Sequence, residues 1–217
     1  MTANGYGSHG KREMNDETEP LGATPGNDTS GLIRLNLTTQ AARNAAEAET
    51  IDAAYAKHVF KARRKQRGSG WLRDEFIRKV HSGMFGSIWE WAGQYRKHNP
   101  NLGVPWPSIQ EEIKKFCGDF AYWDSIGSMT ALEIAARLQN RLTWIHPFTN
   151  GNGRHARLIT DIFFHSRQHP LPEWPQIHRM PQGDVIRTRY IDAMKKADQG
   201  KYDDLMHFME EYLEDAK

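Results

Sequence analysis

The chain has 217 residues, a formal net charge of +2 and 38% hydrophobic residues. No stretch approaches the roughly eighteen apolar residues of a membrane-spanning helix, and the N-terminus lacks the apolar core of a secretory signal, so the composition excludes a membrane protein and predicts a cytoplasmic one. The single cysteine excludes an intramolecular disulfide and a multi-thiolate zinc site, and the small net charge does not favour nucleic-acid binding.

The N-terminal part of the chain predicts a tail followed by a helix. Residues 1–31 hold many glycines and few large apolar side chains, so they cannot bury enough surface to offset their ordering entropy. We therefore expect a flexible tail there and an N-terminal helical segment over residues 32–70. The alanine-rich run after the threonines at 38 and 39 has strong helix propensity, and its basic end at 61–67 is expected to be solvated.

Helical periodicity and capping signals predict a bundle of helices in the rest of the chain. Capping boxes that begin at Ser108 and Thr130 open two of these helices. Residues 93–107 carry proline and glycine at their middle and predict a short β-hairpin. The predicted fold class is therefore all-α, a helical bundle with one small hairpin. The predicted helices span residues 71–81, 108–123, 130–145, 154–166, 183–198 and 202–214.

The most informative segment runs from His146 to Arg157 and reads HPFTNGNGRHAR. Pro147 blocks continuation of the preceding helix, and Gly151 and Gly153 allow a tight turn before the next helix begins. The backbone N–H groups of that turn and the dipole of the new helix then point at one spot. This arrangement is a typical binding site for phosphate.

Three side chains add charge and a proton acceptor to this predicted phosphate site. Arg154 and Arg157 lie three residues apart on one side of the new helix and can bind two further phosphate groups, since a guanidinium matches phosphate oxygens bidentately. His146 lies at the rim, and histidine is the side chain best suited to accept a proton near pH 7. The segment therefore predicts a polyphosphate cradle with a general base at its edge.

This segment resembles the signature of the Fic family, His-Pro-Phe-x-Asp/Glu-Gly-Asn-Gly-Arg-x-x-Arg. Every fixed position matches except one, where Asn150 stands in place of an acidic residue. Residues 85–96 are similar to the family's segment that leads into its hairpin flap, and residues 190–205 are similar to its C-terminal helices. The resemblance implies the Fic-fold helical bundle, with residues 71–217 as the catalytic domain. Within the family, the pattern around the threonines at 38 and 39 and the asparagine in the motif resembles that of the subgroup called mobile mystery protein B.

The resemblance implies a protein adenylyltransferase that moves AMP from ATP to a Tyr, Thr or Ser hydroxyl of a target protein and releases pyrophosphate. His146 would take the proton of that hydroxyl, and Phe148 would be buried and fix the loop. Arg154 would clamp the β-phosphate and Arg157 the γ-phosphate, while Asn152 and the loop amides would hold the α-phosphate. The implied nucleotide-binding residues are Gly151, Asn152, Gly153, Arg154 and Arg157.

The family's flap corresponds to about residues 94–109 and would hold the target segment by strand addition. The implied target contacts are Gln94, Tyr95, Arg96 and Trp106. The mobile mystery protein B subgroup is typically paired with a helix-turn-helix protein. A toxin-like role beside a DNA-binding regulator or antitoxin is therefore also implied.

Asn150 is the main departure from the family pattern. The family's acidic residue binds Mg²⁺, whereas asparagine offers a carbonyl oxygen without the negative charge. We therefore expect weaker binding of Mg²⁺ or Mn²⁺ and slower turnover. Two alternatives stay open: a catalytically weak or inactive Fic-fold interaction or toxin-like module, and a Fic variant that transfers another phosphate-containing group.

A second departure concerns inhibition. Many Fic proteins carry an inhibitory helix with the pattern Ser/Thr-x-x-x-Glu-Gly/Asn, whose glutamate pairs with the second motif arginine. Residues 39–44 have this outline, but Arg43 occupies the glutamate position. Glu47 and Glu49 lie close by, and neither is followed by glycine or asparagine. No intrinsic inhibitory motif is therefore predicted.

Overall fold

The computed structural model describes residues 28–60, 70–175, 180 and 183–213. Most of the predicted N-terminal tail and the basic end at 61–67 lie outside these residues. Within them the chain is mostly helical, and β-pairing is limited to isolated bridges, which confirms the predicted all-α fold class. The described helices are α1 (Gln40–His58), α2 (Asp74–Phe85), α3 (Ile109–Ile126), α4 (Ala131–Ile145), α5 (Asn152–Ser166), α6 (Val185–Ala197) and α7 (Asp203–Glu210), with a 3-10 turn at Trp106–Ser108.

Two of the three N-terminal helix caps predicted from the sequence form their side-chain hydrogen bond. The Thr39 side chain accepts from the N–H of Ala42 at the start of α1, and Thr130 accepts from Glu133 at the start of α4. Ser108 makes no such bond, because it is the last residue of a proline-containing 3-10 turn and already has helical backbone angles. Helix α3 also continues three residues beyond the expected end, to a left-handed Gly127.

Helices α4 and α5 pack against each other, with α3, α6 and α7 against α4 and α2 against α5. Helix α1 packs against α2. Phenylalanine rings fill much of the interior, and Phe120 lies edge-on between Trp71 and Phe163. None of the helices in the described ranges is long and apolar enough to cross a lipid bilayer.

Residues 93–107 differ from the predicted hairpin, because they pair with the motif loop and not with themselves. Tyr95 forms an antiparallel bridge with Phe148, and the N–H of Arg96 donates to the carbonyl of Pro147 at 3.0 Å. Three prolines in this stretch lack the N–H group that a β-ladder requires. The stretch, called the flap loop below, is thereby tied to the segment between α4 and α5.

Candidate active site

His146 is the residue at which α4 ends and the motif loop begins. Its backbone is left-handed, with φ of 50°, and its N–H donates to the carbonyl of Leu142. The Nδ1 atom lies 3.3 Å from the carbonyl oxygen of Thr143. Because a carbonyl can only accept, the Nδ1 atom carries the ring proton and Nε2 keeps its lone pair. Burial lowers the pKa of His146 to about 4, so the ring is neutral at pH 7 and Nε2 can act as a base.

Arg96 holds the backbone of His146 in place. Its Nε donates to the His146 carbonyl at 2.7 Å, and its Nη2 donates to the carbonyl of Val104 at 2.5 Å. The residue is only 3% exposed, so this predicted target contact is instead an internal link between the flap loop and the end of α4. Gly103 completes the fit, because a Cβ there would lie 2.5 Å from the Cβ of His146.

Asn152 closes the motif loop on itself. Its Oδ1 accepts from the N–H of Phe148 at 2.9 Å, and its Nδ2 donates to the carbonyl of the same residue at 2.8 Å. The side-chain oxygen and one of the two N–H groups of the amide are therefore used within the protein, and the contact of Asn152 with the α-phosphate stays a prediction. Phe148 is fully buried, as expected.

Asn150, the candidate metal ligand, is engaged by its own neighbour. Its Oδ1 accepts from the N–H of Gly151 at 2.7 Å, so one predicted phosphate donor is also occupied. That oxygen is neutral, and the described residues contain no cluster of three or more His, Cys, Asp or Glu side chains able to hold a metal ion. The residues at this position therefore do not by themselves form a Mg²⁺ site.

Arg154 lies at the start of α5 and is bound by Glu47 of α1. Its Nη1 donates to Oε2 of Glu47 at 2.6 Å, while Oε1 of Glu47 accepts from the indole N–H of Trp89 at 2.7 Å. The guanidinium also packs over the ring of Phe85, 4.9 Å from its centroid. The group that would clamp the β-phosphate is therefore occupied by a carboxylate from outside the motif.

The sequence pattern predicts no inhibitory residue in α1, because Glu47 is not followed by glycine or asparagine. A usable signal was its position on the same helical face as the buried Ala54, since a carboxylate on such a face needs a partner. Arg43, which occupies the expected glutamate position, instead donates to the carbonyls of Leu37 and Thr38 at the start of α1.

Arg157 lies deeper than Arg154 and contributes a buried cation. A Cβ added at Gly153 would lie 3.8 Å from its Nη1, so the guanidinium reaches the first turn of α5. Burial lowers the pKa of Arg157, while Tyr190 and Asp161 act in the opposite direction. Both arginines therefore lie at the start of α5. Arg154 is held by Glu47, and the charge of Arg157 is stabilised by Tyr190 and Asp161.

Asp161 is a buried carboxylate one turn further along α5. Its Oδ1 accepts from the indole N–H of Trp174 at 2.7 Å. Burial raises the pKa of Asp161 to about 8, against the lowering effects of Trp174 and Arg157. This carboxyl group therefore titrates close to neutral pH in the folded protein.

In the wild type we expect the melting temperature to fall as the pH rises through neutrality, and we expect the replacement Asp161→Asn to abolish this fall. Between its ordinary pKa of about 4 and its folded pKa of about 8, the folded chain retains a proton that the unfolded chain has released, so stability falls as the pH rises. Buried histidines with lowered pKa oppose this trend only below about pH 6.5. The melting temperature should therefore fall between pH 6.5 and 8 in the wild type and stay nearly constant in the variant.

The matched control is Asp52→Asn, which removes an exposed carboxylate from α1. Its pH profile should follow that of the wild type. An equal fall in both the wild type and Asp161→Asn, measured by calorimetry, would show that Asp161 does not carry the effect.

The remaining predicted target contacts differ in accessibility. Gln94 is exposed, and its side-chain amide donates to the carbonyl of Glu90. Tyr95 is partly buried and donates its hydroxyl to Asp74 at 2.5 Å, and burial with this carboxylate raises its pKa. Trp106 is 45% exposed, next in the chain to Pro105, which lines a cavity of about 320 Å³ together with other residues of the flap loop, Ser108, Glu112 of α3 and Trp144 of α4. Of the four residues, Gln94 and Trp106 are thus the ones open to another protein.

The sequence of the chain is similar to those of known proteins. Residues 71–164 match the model of the Fic/DOC family. The chain is 28% identical over 121 residues to "Protein adenylyltransferase Fic" from Nematostella vectensis, a match over 54% of this chain and 26% of that protein. The chain therefore spans about a quarter of the length of that curated relative.

Solved structures share the fold. The N-terminal Fic domain of the effector protein Bep8 from Bartonella sp. 1-1C gives a TM-score of 0.63 at 19% identity, over 83% of this chain and 89% of that one. The N-terminal Fic domain of a putative cell filamentation protein from Bartonella quintana, with bound ADP, gives 0.58 at 17% identity, over 82% and 87% of the two chains. At such identity the likeness establishes the fold alone.

Proposed function

Because residues 71–164 of this chain belong to the Fic/DOC family, we propose that the protein transfers AMP from ATP to a Tyr, Thr or Ser hydroxyl of a target protein and releases pyrophosphate. The observation that carries this proposal is the neutral His146, whose Nε2 lone pair is not used by the contact with Thr143 and whose loop leads into α5. The adenylyltransferase name of the relative from Nematostella vectensis supports a transferase of this class. The ADP in the Bartonella quintana structure supports a nucleotide as the donor.

The proposed reaction has one displacement at phosphorus. Nε2 of His146 accepts the proton of the target hydroxyl, and the hydroxyl oxygen forms a bond to the α-phosphorus of ATP. The bond from that phosphorus to the oxygen bridging the α- and β-phosphates breaks, and pyrophosphate leaves with the electron pair. The backbone N–H groups at the start of α5 and the guanidiniums of Arg154 and Arg157 stabilise the phosphate charge.

Arg154 binds Glu47 through Nη1, so a phosphate that takes this nitrogen must displace the carboxylate. ATP therefore competes with the α1 carboxylate for this guanidinium, and the arrangement with the Glu47 contact is a resting state of the proposed enzyme. A separate helix-turn-helix regulator stays a prediction from the family resemblance.

The proposed function is tested with ATP labelled with radioactive phosphorus at either the α- or the γ-position, incubated with the protein and a cell lysate. Label transfer from the α-position alone, with an added mass of about 329 Da on a hydroxyl side chain, is the expected result for AMP transfer. Transfer from the γ-position would instead indicate a variant that moves another phosphate group. ATP binding without transfer of either label would favour the interaction or toxin-like module.

We expect the replacement Asn150→Asp to raise the transfer rate several-fold at low Mg²⁺ concentration. The carboxylate adds the negative charge that Mg²⁺ prefers, at a position where the chain offers a neutral oxygen. The rate is measured against Mg²⁺ concentration, with Asn44→Asp as the control that adds the same charge to an exposed position of α1. An unchanged or lower rate with intact ATP binding would contradict this expectation.

A further inference from the structure

His81 of α2 is fully buried and connects two segments that are distant in the sequence. Its Nε2 lies 2.9 Å from the backbone carbonyl oxygen of Asn150 in the motif loop. On its other side, the N–H of Gly93 at the start of the flap loop donates to Nδ1, also at 2.9 Å. One imidazole ring thus spans from the phosphate side of the site to the side where the target would bind.

The two bonds of His81 determine its protonation. The N–H of Gly93 can only donate, so Nδ1 must accept, and the single proton of the neutral ring lies on Nε2. Nε2 then donates to the Asn150 carbonyl, which can only accept. The ring plane is fixed as well, because it stacks on Phe148 with centroids 3.7 Å apart and an angle of 14° between the rings.

From this geometry we infer that His81 is a positioning residue of the phosphate-binding loop, which fixes the direction of the peptide between Asn150 and Gly151. The inference rests on the proposed function for its catalytic consequence. In a trans peptide the C=O and N–H groups point in opposite directions. Because His81 holds the Asn150 carbonyl, the N–H of Gly151 points the other way, where it donates to Oδ1 of Asn150. An incoming phosphate would have to displace that side-chain oxygen to accept from the same N–H.

The surroundings of Gly151 leave this peptide little freedom. Its φ is +78°, and an added Cβ would lie 2.5 Å from the ring of Phe85. A rotated peptide would lose its bond to His81 and leave a buried carbonyl without that partner. The direction of the Gly151 N–H therefore depends on a ring in a different helix.

The other bond of His81 fixes the start of the flap loop. The carbonyl of Gly93 accepts from the Nε of Arg78 at 2.9 Å, so both polar groups of that residue are held by α2. A Cβ at Gly93 would lie 2.8 Å from the Cβ of Ser82, which keeps the loop against this helix. His81 thereby sets the phosphate-binding loop and the flap loop in one common frame.

Three replacements of His81 separate positioning from mere stability. In His81→Gln the side-chain NH₂ can still donate to Asn150, in His81→Asn the oxygen can still accept from Gly93, and His81→Leu keeps only the apolar contact. We expect the Asn and Leu variants to lose at least about tenfold in kcat, since removal of one donor to a developing phosphate charge costs about 100- to 1,000-fold. The Gln variant should stay within a few-fold of the wild type.

Two measurements that need no transfer keep this inference separate from the proposed function. One is the dissociation constant of ATP by calorimetry, and the other is the exchange rate and NMR shift of the Gly151 amide without nucleotide. We expect faster exchange and a shifted amide in the Asn and Leu variants, and a signal close to wild type in the Gln variant. If the wild type transfers no AMP, the proposed function fails, while the Gly151 amide still tests the role of His81.

The control is His58→Asn, which replaces a buried histidine that packs edge-on against Phe76. It should lower the melting temperature without changing the Gly151 amide. The inference is overturned if the Gln, Asn and Leu variants of His81 leave that amide unchanged, or if all variants, including His58→Asn, alter it in proportion to their loss of stability.

Discussion

Replacement of His146 by alanine is expected to lower the rate of AMP transfer by about 100- to 10,000-fold, the range that a general base contributes. The Nδ1–H faces the carbonyl of Thr143, so Nε2 is the nitrogen that can accept the proton of the target hydroxyl. Because the pKa is about 4, this base is not expected to lose activity as the pH falls from 8 to 6. The rate is measured by label transfer from α-labelled ATP.

The dissociation constant of ATP should change little in His146→Ala, since the phosphate ligands proposed here lie in the next helix. The matched control is His98→Ala, which removes an exposed imidazole from the flap loop and should keep the wild-type rate. A His146→Ala variant that transfers AMP at the wild-type rate would exclude this histidine as the base.

Replacement of Glu47 by glutamine is expected to tighten the binding of ATP by about 10- to 100-fold. The oxygen that accepts from Trp89 is retained, whereas the oxygen that binds Arg154 becomes an NH₂ group, which cannot accept from a guanidinium. A hydrogen bond to a charged group contributes about 1.5–3 kcal/mol, and each factor of ten in affinity corresponds to about 1.4 kcal/mol. ATP then no longer competes with the carboxylate for the guanidinium.

Calorimetric titration with ATP measures this change, and AMP transfer at limiting ATP should rise with it. Glu49→Gln removes an exposed carboxylate two residues further along α1 and serves as the control. Equal ATP affinity in Glu47→Gln and the wild type, with the melting temperature preserved, would mean that the salt bridge does not restrain Arg154.

The parts of this protein that could be predicted from sequence are those whose causes lie within a few residues. Thr39 and Thr130 cap their helices through bonds to residues three positions away. The turn between α4 and α5 is likewise determined by glycine and proline within the stretch from His146 to Arg157. Phosphate binding by this stretch stays a prediction.

The parts that could not be predicted depend on partners far away in the chain. Glu47 and Arg154 are 107 residues apart, and Arg96 is 50 residues from the carbonyl that it holds in His146. No local pattern encodes such a pair. The local pattern of the flap loop likewise predicts only pairing within the loop. In the structure its Tyr95 pairs with Phe148, which belongs to the distant motif loop.

Arg96 has a consequence for the choice of target. The same guanidinium holds carbonyls of the flap loop, at His98 and Val104, and the carbonyl of His146. A polypeptide that docked by displacing residues 98–104 would break these bonds and tilt the proposed base away from the hydroxyl. Such a polypeptide would be bound and released unmodified, so discrimination between proteins at this surface would appear in kcat more than in binding strength.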